Sequence, residues 1–227
     1  MSRSKYFRSF STVEVQQTFY EPPKKLTLQK WRAEVDDDFD FAVKAWQLIT
    51  HTSASPTYRR LKTSLSQEDA EHAGNFKPTA IVEEAWKVTV DRAIALKANR
   101  ILFQCPASFK PTDENLKNMH LFFGAIERPD DVLLCWEPRG AAWTNDIVDM
   151  LCTELRLVHV VDPFVSTTVT PSNFYFRLHG ISGWRHKYSD EELDELLKLV
   201  PSIGNGCVFF NNVTMADDAV RFRTKLE

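Results

Sequence analysis

Glycine is scarce, with 7 in 227 residues, and none follows the first strand-like stretch, Val13–Gln17. An open doubly wound nucleotide-binding sheet carries a glycine-rich phosphate loop at that place, so this absence argues against it. Cysteine is just as sparse. Cys105, Cys135, Cys152 and Cys207 make no CxxC pair and have no histidine at ligand spacing. Zinc or redox frameworks therefore find no support, and thiols in or beside apolar strands predict buried, reduced cysteines in an intracellular protein. No apolar run approaches the roughly 18 residues of a membrane span, and Met1–Phe10 holds no signal peptide. No membrane contact is expected, and the expected compartment is cytoplasmic. The net charge of −3 and pI near 6.1 give no global basic field, so any polyanion must be held by a local patch.

What is there is globular. Hydrophobic content of 43% and charged content of 26% exclude disorder. The length suits one domain over residues 1–227, and no linker interrupts it. The most informative stretch is Val132–Gly140, Val-Leu-Leu-Cys-Trp-Glu-Pro-Arg-Gly. Its apolar run predicts a strand buried on both faces. Pro138 and Gly140 then break that strand into a turn carrying Glu137 and Arg139.

The same pattern recurs along the chain. Strands are predicted at Val13–Gln17, Phe39–Ala45, Arg100–Gln104, Leu157–Val161, Phe174–Leu178 and Cys207–Phe210. Helices are predicted at Leu26–Val35, Ile81–Leu96, Thr112–Ile126, Asn145–Leu155 and Met215–Leu226, and after Ser189, whose capping box is completed by Glu192. Ile81, Ala85, Val88 and Ile94 are expected on the buried side of the second of these. His51–Pro78 reads as short helices or a loop. Seven strands separated by helices predict right-handed βαβ units and a parallel sheet, closed as a TIM-barrel-like (β/α) barrel given the missing glycine loop.

Strand ends gather polar side chains. They deliver Glu14, Gln16, Lys44, Gln104, Glu137, Arg139, Asp162, Arg177, His179, Asn211 and Asn212. In a parallel α/β fold these ends share one face, where barrel enzymes place their active sites. Glu137, Asp162 and His179 are the candidate catalytic groups, as general acids or bases or as ligands of one divalent metal ion. The competing reading makes Glu137 the partner of Arg139 or Lys44 in a structural network. Lys44, Arg139 and Arg177 suit phosphate or carboxylate, with Glu14, Gln16, Gln104, Asn211 and Asn212 as further substrate contacts. Trp46, Phe109, Trp143 and Trp184 follow strand ends and offer faces for bases or sugars, or simply pack. Thr18 and Tyr20 are expected to pack or cap, and His51 and His186 to be exposed loop residues.

These motifs carry a family resemblance. Val13-Glu14-Val15-Gln16-Gln17-Thr18-Phe19-Tyr20, Phe41-Ala42-Val43-Lys44-Ala45 with Ile49-Thr50-His51, and Phe103–Phe109 occur in order. Glu137-Pro138-Arg139 with Trp143, Tyr175–Gly180, Tyr188-Ser189 and Phe209–Asn212 follow. Together they resemble the YecE-like family, a domain of unknown function, over nearly the whole chain. The resemblance implies a TIM-barrel-like fold without a settled reaction, in a family often likened to barrels of the endonuclease IV and xylose isomerase type. Gln16 stands where that family commonly has Asn. Its members usually begin with a strand and turn before the first helix, so the first barrel strand is expected to be missing here. A seven-strand barrel would expose edges at Val13–Gln17 and Cys207–Phe210, to be filled or used for pairing with another chain.

The expected activity is that of a nuclease or other phosphodiesterase on a phosphate-containing small molecule or nucleic acid. Six histidines, mostly away from strand ends, are few for a metal-rich nuclease, so such an enzyme would bind one metal weakly or none. The alternative is a non-catalytic protein that holds a nucleotide, sugar phosphate or single-stranded nucleic acid.

Overall fold

The computed structural model describes residues 2–226. In chain order the elements are α1 (Arg3–Ser9), β1 (Thr12–Val15), α2 (Gln17–Tyr20), α3 (Lys25–Arg32), β2 (Asp40–Lys44) and α4 (Gln47–Thr50). A 3-10 turn (Pro56–Arg60), α5 (Gln67–His72), α6 (Ala80–Leu96), β3 (Arg100–Gln104), α7 (Asp113–Ala125), β4 (Leu133–Glu137) and α8 (Asn145–Glu154) come next. The chain ends with β5 (Val158–Val161), β6 (Asn173–Leu178), α9 (Asp190–Leu199), β7 (Asn205–Phe210) and α10 (Met215–Leu226). Parallel strands alternating with helices give an α/β fold of the TIM-barrel-like class.

The chain divides into two compact units, residues 11–157 and residues 1–10 with 158–227. The first unit carries β1 to β4. Its register sets Val15 beside Val43, Lys44 beside Leu102 and Gln104 beside Glu137. Both β3 and β4 are buried along most of their length, as their continuous apolar runs require of strands covered on two faces. Aromatic rings fill the space between sheet and helices. Phe76 lies 5.4–6.0 Å from the rings of Phe103, Phe109, Phe122 and Phe123, and Trp86 stacks on Phe103 at 5.8 Å.

Helix starts follow their sequence signals. The hydroxyls of Thr112 and Thr144 accept N–H bonds from Asn115 and Ile147. In the second unit Ser189 and Glu192 form the expected reciprocal capping box. The core of that unit joins Phe174, Phe176 and Leu178 of β6 to Tyr188, to Leu193 and Leu196 of α9, and to Phe222 of α10. The four cysteines are free and buried, as expected.

Three expectations are corrected. The first strand stops at Val15, because Gln16 already has helical backbone angles and starts α2. The buried side of α6 runs through Val82, Ala85, Trp86, Thr89, Ala93 and Leu96, leaving Ile94 60% exposed. The bulky Trp86 ring, drawn into the aromatic cluster, rotates the stripe away from Ile94. His51 is the third. It is buried, and its surroundings belong to the site.

Candidate functional site

Parallel pairing brings the carboxyl ends of β1 to β4 to one edge of the first unit. Glu14 and Gln16 sit at the end of β1, Lys44 at that of β2, Gln104 at that of β3 and Glu137 at that of β4. Arg139 lies two residues further. The sheet thus brings together those six of the expected site residues.

The site is built on a turn fixed by one hydroxyl. Thr18 Oγ1 lies 2.8 Å from the Val15 carbonyl and 2.7 Å from that of Lys44, and accepts the Lys44 N–H at 3.0 Å. It packs inward, one of the two roles the sequence suggests, and ties the end of β1 to the end of β2. The next residue, Phe19, receives the Lys44 ammonium 3.9 Å from its ring centroid. Its ring meets His51 edge-on at 4.9 Å.

The His51 side chain is walled in. The residue is 4% exposed, its Nδ1 lies 2.8 Å from Thr50 Oγ1, and its carbonyl accepts the Tyr58 hydroxyl at 2.8 Å. Burial holds its imidazole down to about 3, and the positive charges of Lys44 and Arg139 add to that effect. The imidazole is therefore neutral at every physiological pH. Arg139 donates from Nε and Nη2 to one oxygen, Oε1, of Glu137, at 3.1 and 2.9 Å. Gln16 donates to Glu14. Gln47 donates to the Tyr20 carbonyl at 3.0 Å, while its Oε1 and the Trp46 indole nitrogen are buried without partners among the described residues. Cys105 accepts from the Trp136 indole at 3.3 Å, and burial pushes its thiol up to about 12.

Three of the aromatic residues expected near strand ends turn inward. Trp46, Phe109 and Trp143 are buried, the last two stacked at 5.7 Å and joined by a bond from the Trp143 indole to the Phe109 carbonyl. Phe109 and Trp143 thereby join the loops after β3 and β4 to each other rather than offering faces to a ligand. Trp184, in the other unit, is 61% exposed.

In the second unit, Asp162 follows β5, Arg177 lies in β6, His179 follows it, and Asn211 and Asn212 follow β7. Both Asp162 oxygens accept backbone N–H groups, from Phe164 at 3.1 Å and from His179 at 2.9 Å. Arg177 is buried. Asn212 donates to Asp218 at 2.6 Å and to the His186 carbonyl at 2.8 Å, which makes it a brace for the turn into α10. His186, expected to be an exposed loop residue, is half-buried between Ser182 and Glu192. Among the described residues, no three His, Cys, Asp or Glu side chains gather in a metal-holding group.

A cavity of about 1000 Å3 lies elsewhere, between α6 and α7, lined by Trp86, Ile94, Phe122 and Ile126. Ala98 and Val132 place it at the beginnings of β3 and β4, opposite the ends that carry Gln104 and Glu137. Among the described residues no helix is long and apolar enough to cross a membrane.

Parallel strands whose polar ends meet at one edge define a TIM-barrel-like α/β protein with its candidate site on the carboxyl side. A family profile described as "Protein of unknown function DUF72" matches residues 3–227, and the chain belongs to that family, the one its strand-end motifs resemble. It is similar to the crystal structure of a DUF72 family protein from Enterococcus faecalis. That match has a TM-score of 0.74 and 21% identity, covering 99% of this chain and 93% of that one. A DUF72 family protein from Thermotoga maritima is similar too, with a TM-score of 0.72 and 21% identity over 100% of this chain and 90% of that one. No curated protein matches significantly.

Proposed function

We propose that the ends of β2, β3 and β4 bind a phosphate-containing ligand. The observation that carries this reading is the placement of two cations on the same carboxyl edge, Lys44 at the end of β2 with its ammonium 3.9 Å from the Phe19 ring centroid, and Arg139 just beyond β4, held by Glu137 at 2.9 Å. A phosphoryl group has oxygens enough for both cations, and the buried, uncharged imidazole of His51 brings no competing charge beside them. Glu137 positions Arg139 through its two N–H bonds. Gln104, beside Glu137 in the register, and Glu14 with Gln16 supply neighbouring polar contacts.

A second reading, turnover as a nuclease or other phosphodiesterase, gives a proton-transfer role to Glu137 in the one unit and, considered separately, to Asp162 and His179 in the other. Less supports it, because Glu137 is engaged by Arg139 and both Asp162 oxygens accept main-chain N–H bonds. The test is a thermal-shift screen against nucleotides, sugar phosphates, divalent metals and short single-stranded DNA. A ligand at about a hundred times its dissociation constant adds roughly 2.7 kcal/mol. A shift with phosphate compounds that disappears in Arg139→Ala supports the binding site, and an unaltered shift in that variant overturns it. Cleavage that is lost in Glu137→Gln, with circular dichroism unchanged, would establish turnover.

A further inference from the structure

We infer that the loop at Arg59–Lys62 extends this site to hold the backbone of single-stranded nucleic acid, an inference that rests on the phosphate reading above. Arg59, Arg60 and Lys62 are all exposed, at and just beyond the end of the 3-10 turn. With Gln17, Tyr20 and Glu21 they line a recess of about 410 Å3. Its one carboxylate is already engaged. Glu21 Oε2 accepts the N–H groups of Lys62 at 3.0 Å and Thr63 at 3.2 Å, and Oε1 accepts the Thr63 hydroxyl at 2.9 Å. Glu21 therefore pins the loop, and three cations face outward from a chain whose net charge is −3. The basic patch is local, not a reflection of overall charge.

The loop is joined to the strand-end site through two touching rings, each with a cation on it. The Arg60 guanidinium lies 3.6 Å from the Tyr20 centroid, Tyr20 meets Phe19 edge-on at 5.0 Å, and Lys44 caps Phe19 at 3.9 Å. The Tyr58 hydroxyl ties the same loop to the His51 carbonyl. Three outward cations along one loop, Arg59, Arg60 and Lys62, are not matched by one phosphate. A strand carrying a charge on every nucleotide matches them, and its bases can stack on the outer plane of Arg60 as they do on guanidinium and aromatic faces generally. A duplex keeps its base faces inside its own stack and cannot use that plane.

The test is fluorescence anisotropy of a labelled short oligothymidylate over a salt series, with thermal shift by thymidine monophosphate in parallel. The variant Arg59→Ala/Arg60→Ala/Lys62→Ala is expected to bind the oligonucleotide about tenfold more weakly or worse. Its slope of log affinity against log salt should shrink by about two, near 0.7 for each phosphate contact removed. Its thymidine monophosphate shift should persist. Unchanged oligonucleotide affinity and slope in the triple variant would overturn the inference while leaving the strand-end site standing. Displacement of the oligonucleotide by polyglutamate as readily as by unlabelled oligothymidylate would also overturn it, in favour of an acidic protein partner. A monophosphate shift that survives Arg139→Ala would instead remove the underlying site, and the triple variant would still judge the loop by its own slope.

Discussion

The ammonium of Lys44 stands 3.9 Å from the centroid of the Phe19 ring, at a residue only 4% exposed. A buried cation is costly unless something compensates it, and a ring face supplies part of that compensation through its negative potential. Phe19 can do this because Thr18, one residue earlier, fastens α2 to the end of β2. The electrostatics of the site thus begin with a hydroxyl.

That hydroxyl is open to test. Thr18→Val keeps the shape of the side chain but leaves the Lys44 N–H without its acceptor. The cost of an unsatisfied buried donor is about 1–3 kcal/mol, and Thr18→Ser, which keeps the oxygen, should lose less. Urea unfolding of both variants measures this. Equal stability of Thr18→Val and the parent would show that the bond contributes nothing.

His51 makes a pH prediction. Its folded value, about 3, lies below the ordinary 6.5, so in that interval the unfolded chain binds the proton and the folded chain does not. Stability from this group is therefore fully present above 6.5 and is lost as pH falls toward 3, by up to about 1.4 kcal/mol per pH unit. His51→Gln should flatten the fall in unfolding free energy between those limits. Lys44→Met, which removes one of the two cations, should raise the imidazole value in a proton NMR titration. An unchanged slope in His51→Gln would mean that carboxylates alone carry the acid sensitivity.

Much of the fold was legible because its signals are local. Apolar runs of strand length such as Leu133–Glu137, caps such as Thr112, and the Ser189–Glu192 box each act within a few residues. Lys44, Gln104, Glu137 and Arg139 could be placed at strand ends for the same reason. His51 was missed because its burial is decided by distant residues. Tyr58 bonds to its carbonyl, Phe19 packs on its ring, and residues 74–76 turn back against the segment before it. The basic loop was hidden by a segment without periodicity, and its shape is fixed in part by Glu21, about forty positions away in the chain.

The cysteines give a chemical check. Burial pushes Cys105 and Cys152 up to about 12, and all four thiols are free and buried. The thiolate is the reactive form, so Ellman's reagent at about pH 8 should find the folded protein nearly inert. All four cysteines should react at once in denaturant. Rapid reaction of one thiol in the native state would place that cysteine at an opening that the packing does not contain.

Behind His51 the main chain makes a left-handed turn, and this yields the sharpest stability prediction. Gly74, Asn75 and Phe76 have φ of +84°, +54° and +53°. Gly74 donates to the Leu48 carbonyl at 2.7 Å and Phe76 to that of Ile49 at 2.9 Å, so the turn braces the segment that ends in His51. A left-handed phenylalanine costs roughly 1–2 kcal/mol, and full burial of its ring among four other aromatics offsets this by about 1.5–3 kcal/mol. Gly74 has no such latitude, since a Cβ there would lie 2.4 Å from the carbonyl carbon and oxygen of His51. Gly74→Ala must therefore displace the His51 backbone, at about 2–4 kcal/mol, and lower the melting temperature by at least about 5 °C. The same displacement should loosen the wall around the imidazole and move its titration back toward the ordinary 6.5. Asn75→Gly, by contrast, relieves a left-handed side chain next door and should stay within about 0.5 kcal/mol of the parent. If both variants melt alike, the turn is not what holds His51 in place.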